Sequence, residues 1–138
     1  DLWIKLGGFD EVLFSPFYWE DVDLSYRAQK RGFKLLWDPN CKIIHEHEVT
    51  IRRSKFSLPR RNIIIQRNQL LLIWKNLTSP NLFRRHLKGL ILRTIINHGY
   101  IVIVIFALFK IRKVIKLRKK EKKESSVSDE AIFTEFKG

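Results

Sequence analysis

The stretch GFKLLWDPNCKIIHEH, Gly32 to His47, decides how the chain is read. Phe33 to Trp37 and Lys42 to His47 each have strand length, and Asp38-Pro39-Asn40 between them is a turn signal. The pattern predicts two short strands joined by a turn. On the N-terminal side, Asp21 to Lys30 reads as a short helix stopped by Gly32, and Gly7-Gly8 as a turn. Short strands and a short helix in alternation make Asp1 to Thr50 an α/β segment.

Beyond Thr50 the periodicity becomes helical. Over Arg60 to Leu77, the residues Ile63, Leu70, Trp74 and Leu77 share one helical face, with Arg67 and Asn68 beside or opposite it; Arg61, Arg67 and Asn68 read as a solvated face, with contact to a diphosphate as the alternative. Ser79 can cap a further helix and Pro80 suits its first position. That helix runs toward Lys120 and bends at Gly99. From Glu121 the sequence is polar and reads as mobile, with Ser128-Asp129-Glu130 able to start a short terminal helix. No internal repeat of solenoid period is present.

Composition bounds the rest. A chain of 138 residues with 45% apolar side chains suits one modest domain. It contains no methionine, which leads us to expect a fragment or a processed piece. The opening DLWIKLGGFDE lacks the basic, apolar and small-residue succession of a signal peptide. Cys41 stands alone, so an internal disulfide is excluded, a cysteine metal site is disfavoured, and a buried thiol is expected. The formal charge of +13 is uneven: residues 1 to 50 hold nine acids against six Lys and Arg, net −3, and residues 51 to 138 hold five against twenty-one, net +16. Any partner selected by positive charge is a partner of the second half.

The acids of the first half gather in FYWEDVDLSYR, Phe17 to Arg27. Glu20 and Asp21 fall at a helix start, where the helix dipole favours them, and Asp23 lies four residues before Arg27, the spacing of a surface ion pair. Phe17, Tyr18 and Trp19 can form a sugar platform or simply core.

Taken in order, GGFDEVLFSPFYWEDVDLSYRAQKRGFKLLWDPNCKIIHEH, and after it RNQLLLIWKNL, resemble the carboxyl-terminal part of the catalytic domain of family 2 glycosyltransferases. The likeness covers about the first fifty residues and the Arg-Asn helix. It implies a GT-A fold, an α/β nucleotide-sugar transferase domain of which residues 1–60 are the acceptor side. Helices packed on that domain over 61–98, a basic amphipathic membrane-associated helix over 99–123 and a polar tail over 124–138 follow. The resemblance further implies that Asp21 is the general base of an inverting transfer, and that Glu20, Trp19 and Gly8 contact the acceptor. It implies that His45, with His47 as rival, binds a divalent cation, Mn²⁺ or Mg²⁺, which bridges the diphosphate of a nucleotide-sugar donor. The acceptor expected is a saccharide or a lipid-linked saccharide of cell-surface glycan synthesis. The donor-binding half, with its Asp-x-Asp motif, is expected before Asp1. A positioned carboxylate suits such chemistry, since removing the acceptor proton in the transition state contributes roughly 10²- to 10⁴-fold.

The basic half predicts a membrane partner. Tyr100 to Phe109 is an apolar run too short for a span, which needs about 20 residues. Val104, Leu108, Ile111 and Ile115 fall on one helical face and Arg112, Lys113, Lys116, Lys119 and Lys120 on the other, the pattern of an in-plane helix on anionic lipid. We therefore expect peripheral attachment at the cytoplasmic face of the cell membrane over Leu87 to Lys123. No groove-reading motif or zinc spacing points to nucleic acid, which is not expected as a partner. The alternative to the transferase is a non-enzymatic basic module, binding membrane or nucleic acid, in which EDVD only caps a helix.

Overall fold

The structure, a computed structural model, describes residues 1–36, 38–42 and 56–135. The described elements are α1 (Leu2–Leu6), α2 (Glu11–Phe14), α3 (Glu20–Lys30), α4 (Leu58–Asn76), α5 (Pro80–Ile96), α6 (Tyr100–Leu108), α7 (Ile111–Glu124) and α8 (Asp129–Glu135). Among the described residues there is no strand, and the expected α/β GT-A architecture is overturned in favour of an all-helical one.

The correction falls on the stretch that seemed to decide the fold. Phe33 to Leu36 are irregular, as is Lys42, while Trp37 and Ile43 to His47 lie outside the described residues. The physical reason is local. Gly32 adopts φ +82° and closes α3, with its N–H on the Gln29 carbonyl and the Phe33 N–H on the Ala28 carbonyl. This Schellman-type stop draws the first N–H of the expected strand into the helix end. Leu36 is then left 90% exposed, with no strand beside it among the described residues.

The helices that periodicity and caps predicted are present. Ser79 caps α5, its Oγ accepting from the Leu82 N–H at 3.3 Å, with Pro80 in the first turn. The expected long bent helix is instead three, α5, α6 and α7, broken around Gly99 and at Phe109-Lys110. The centre of the molecule is α4. Its Leu70, Leu71 and Trp74 bury against Leu13 and Phe14 of α2, Tyr100, Ile103 and Ala107 of α6, and Val114 of α7. The buried stripe of α6 and α7 is therefore Tyr100, Ile103, Ala107 and Val114, close to the helical repeat; of the four residues expected to face lipid together, Val104 and Ile111 pack against this core while Leu108 and Ile115 are exposed. By contrast α5 contributes no buried residue.

The polar tail is held, not loose. Asp129, at the start of α8, is 1% exposed and accepts hydrogen bonds from Lys30 Nζ at 2.7 Å, Tyr26 Oη at 2.7 Å and Thr78 Oγ1 at 3.1 Å. A buried carboxylate satisfied in this way joins the end of α3 to the start of α5. Cys41, expected to be buried, is exposed.

Candidate functional site

The three acids of EDVD meet three different environments within one turn of helix. Asp23 is fully buried. Its Oδ2 accepts from Arg27 Nε at 2.7 Å and Lys75 Nζ at 2.9 Å, and its Oδ1 from Asn76 Nδ2 at 2.7 Å. The Asp23–Arg27 pair predicted from spacing is formed, but in the interior rather than on the surface. Arg27 in turn donates to the Leu6 and Gly8 carbonyls, the second at 2.6 Å. Two buried cations and one buried anion share a site where each satisfies the others.

Lys75 extends this network to the GGFDE stretch, reaching Asp10 Oδ2 at 3.2 Å, while Lys113 approaches Asp10 Oδ1 at 3.5 Å. Burial works to raise the Asp10 carboxyl, but Lys75, the Leu13 N–H and Lys113 outweigh it and hold it below the usual carboxylate range. GGFDE, EDVD and the Arg-Asn helix, three separate stretches of sequence, are thus tied by one set of charges.

The loop between GGFDE and EDVD is held from α4. Asn68, expected on a solvated face, is fully buried and donates through Nδ2 to the Phe14 and Phe17 carbonyls. Arg67 donates to the Ser15 carbonyl at 2.6 Å and to Asn68 Oδ1 at 2.8 Å. Arg61 donates to Tyr18 Oη at 2.8 Å. Under this clamp Tyr18 and Trp19 both take left-handed backbone, φ 71° and 81°. That conformation is uncommon for residues with a Cβ, and it persists only where surrounding contacts impose it. It immediately precedes Glu20.

Asp21 is exposed, its Oδ1 accepting only from the Val22 N–H, at 2.8 Å. Glu20 is half-buried, and its Oε2 lies in the interior with no hydrogen-bond partner. Glu20 lines a cavity of about 320 Å³ together with Phe9, Glu11, Phe14, Ser15, Pro16 and Phe17. Asp21, Trp19 and Gly8 do not line it. Trp19 packs against the core and donates through Nε1 to the Ile65 carbonyl at 3.0 Å, so it is an anchored ring rather than an open platform. Gly8 is buried at φ +62°, and a Cβ there would stand 3.1 Å from the Trp3 ring. Its role is to turn the backbone so that its carbonyl meets Arg27.

His45 and its rival His47 lie outside the described residues. Among the described residues no group of three His, Cys, Asp or Glu side chains could hold a metal ion. Asp10 and Asp23 are already occupied by lysine and arginine, so these two carboxylates do not fit a divalent cation.

Sequence reasoning missed Asn68, Lys75 and Asn76 as parts of the site. A signal existed: 68 and 75 are seven apart, one helical face, and that face also carries Leu71. Polar residues recurring on an apolar face imply buried partners elsewhere. No family model, no curated protein and no solved structure matches this chain.

Proposed function

We propose that this chain provides the acceptor-activating side of an inverting glycosyltransferase, in which Asp21 is the general base and Glu20 orients an acceptor hydroxyl. The observation that supports the reading is the division of labour among the motif acids. Asp10 and Asp23 are committed to internal cations, whereas Asp21 is exposed and Glu20 lines a cavity. A base must be reachable and must not be neutralised by a fixed cation; Asp21 meets both conditions.

In the proposed step, the acceptor hydroxyl gives its proton to Asp21 as its oxygen forms a bond to the anomeric carbon. The bond from that carbon to the donor's diphosphate breaks on the opposite face. Configuration inverts, the proton resides on Asp21, and the negative charge leaves with the nucleoside diphosphate. The clamp on Tyr18 and Trp19 fixes the direction in which Glu20 and Asp21 leave the loop, which is how a positioning network acts on rate. A metal ion, if the His45 expectation holds, would neutralise the leaving diphosphate; no step described above depends on it.

The test uses the whole protein that carries this chain, screened against nucleotide sugars for transfer to saccharide and lipid-linked acceptors. Asp21→Asn should reduce transfer at least about 100-fold while donor binding and circular dichroism stay unchanged. A variant that keeps more than a tenth of the rate removes Asp21 from the role of base. Absence of transfer with every donor favours the non-enzymatic module.

A further inference from the structure

We infer that the outer face of α5 and α6 docks onto an anionic bilayer, with α6 lying in the interface and the lysines of α7 on the lipid headgroups.

Two consecutive helices each carry a set of exposed apolar side chains. On the C-terminal half of α5, Ile91, Leu92, Ile95 and Ile96 are exposed, Ile96 at 73%. On α6 and just after it, Ile101, Ile105, Phe106 and Phe109 are exposed, Phe109 at 79%. Singly exposed apolar residues are ordinary, but a run of this kind along two consecutive helices is not. The core leaves it uncovered because α5 buries nothing, and α6 buries only its Tyr100, Ile103 and Ala107 side.

The charge around this face identifies what covers it. From Pro80 to Lys123 the sequence holds thirteen Lys and Arg and a single acid, Glu121. Glu121 is buried against Arg31 at 2.8 Å and offers nothing to the outside. Five of the cations are engaged with the protein: Arg93 over Tyr100, Lys110 on the Leu13 carbonyl, Lys113 at Asp10, Arg118 over Phe83 and Lys120 at Glu124, 3.9 Å away. The other eight are exposed, and along the sequence they bracket the apolar residues, Arg84, Arg85 and Lys88 before them and Arg112, Lys116, Lys119, Lys122 and Lys123 after them.

A second copy of the chain placed face to face would bring the same cations together. A nucleic acid would neutralise the cations and leave the isoleucines and phenylalanines in water. A bilayer with anionic headgroups satisfies both sets at once. No helix among the described residues is long and apolar enough to cross a membrane, and α6, nine residues long, rises roughly 14 Å, so the contact is peripheral. This replaces the single in-plane helix over Leu87 to Lys123 with two helices and a basic third.

The face is connected to the candidate site. Phe106 also lines a cavity of about 470 Å³ with Pro16, Arg60, Ile63 and Ile64, and Pro16 lines the cavity of Glu20 as well. Docking through α6 sets the Glu20 cavity beside the lipid surface. The inference rests on exposure and charge and is independent of any transferase activity.

The experiment is co-sedimentation of the chain with phosphatidylglycerol-containing vesicles, with pure phosphatidylcholine vesicles and with duplex DNA, from 0.05 to 1 M salt. Expected is binding to the anionic vesicles that weakens with salt yet persists at 1 M, where charges are screened beyond about 3 Å. Ile96→Glu with Phe109→Glu should lower vesicle binding at least about tenfold. Both sites are solvent-exposed, so circular dichroism should be unchanged. Three results overturn the inference: no vesicle binding at low salt, an equal response of the double variant and the parent, or a dimer in sedimentation equilibrium that the double variant abolishes. Preference for DNA over the anionic vesicles overturns it as well.

Discussion

Asp21 and Asp23 stand two residues apart, and the same substitution, Asp to Asn, should act on different properties at each. At Asp23 the change removes the countercharge of Arg27 and Lys75, both of which remain buried. Taking one partner from a buried pair costs about 3–5 kcal/mol; here Arg27 keeps only the Leu6 and Gly8 carbonyls and Lys75 only Asp10, at 3.2 Å, so the lower end of that range is expected. At Asp21, exposed and bonded only to the next backbone N–H, the cost should stay within about 0.5 kcal/mol. Urea titration followed by circular dichroism measures the difference. With a slope of about 1.5 kcal/mol per M, the Asp23→Asn midpoint falls by about 2 M, a large part of what a domain with about 5–15 kcal/mol of stability holds. Lys75→Met in the Asp23→Asn background removes one of the two cations that shared Asp23, so the two changes should couple by at least about 1 kcal/mol. A loss below about 1 kcal/mol for Asp23→Asn alone, or additivity with Lys75→Met, would refute the charge network as the tie between the motifs.

Two other outcomes are expected. Asp10 and Asp129 are each pushed up by burial but held lower still, Asp10 by Lys75 and Asp129 by Lys30, Tyr26 and the Ser79 N–H. A depressed folded pKa gives stability that is complete above the unfolded value, near 3.8, and is lost as pH falls through the folded value. Urea midpoints should therefore be level above about pH 5 and decline below it, with Asp129→Asn flattening part of the decline. Glycines should divide by environment: Gly8→Ala, at φ +62° and against Trp3, should destabilise by at least about 1 kcal/mol. Gly89→Ala, within α5 with nothing within 4 Å of the added Cβ, should stabilise by about 0.5–1 kcal/mol in the same urea assay.

What was legible in the sequence was what depends on near neighbours. The stop of α3 at Gly32, the Ser79-Pro80 start of α5 and the Ser128-Asp129 start of α8 are set by residues within one turn, and all three are present. That Phe33 to Leu36 would form no strand was not legible, because their pattern acquires meaning only when a partner accepts the backbone hydrogen bonds. Helix closure took the first of those N–H groups instead. At the candidate site the i, i+4 partner of Asp23 could be read, whereas Lys75 and Asn76, 52 and 53 residues away, could not. For the same reason Asn68 was placed on a solvated face: its partners are carbonyls, which carry no side-chain signature. The division between acids that hold the fold and acids that face solvent is a tertiary property.

The clasp between Lys30 and Asp129 also dictates an order of events during synthesis. Lys30 is 1% exposed in the finished molecule, and its countercharge is encoded 99 residues later. At ribosomal speeds of about 5–20 residues per second, roughly 5–20 s separate the two. Through that interval the end of α3 cannot bury its ammonium group without stranding a charge, so it stays hydrated. The segment that bears EDVD is translated early, yet it settles only when the last helix arrives.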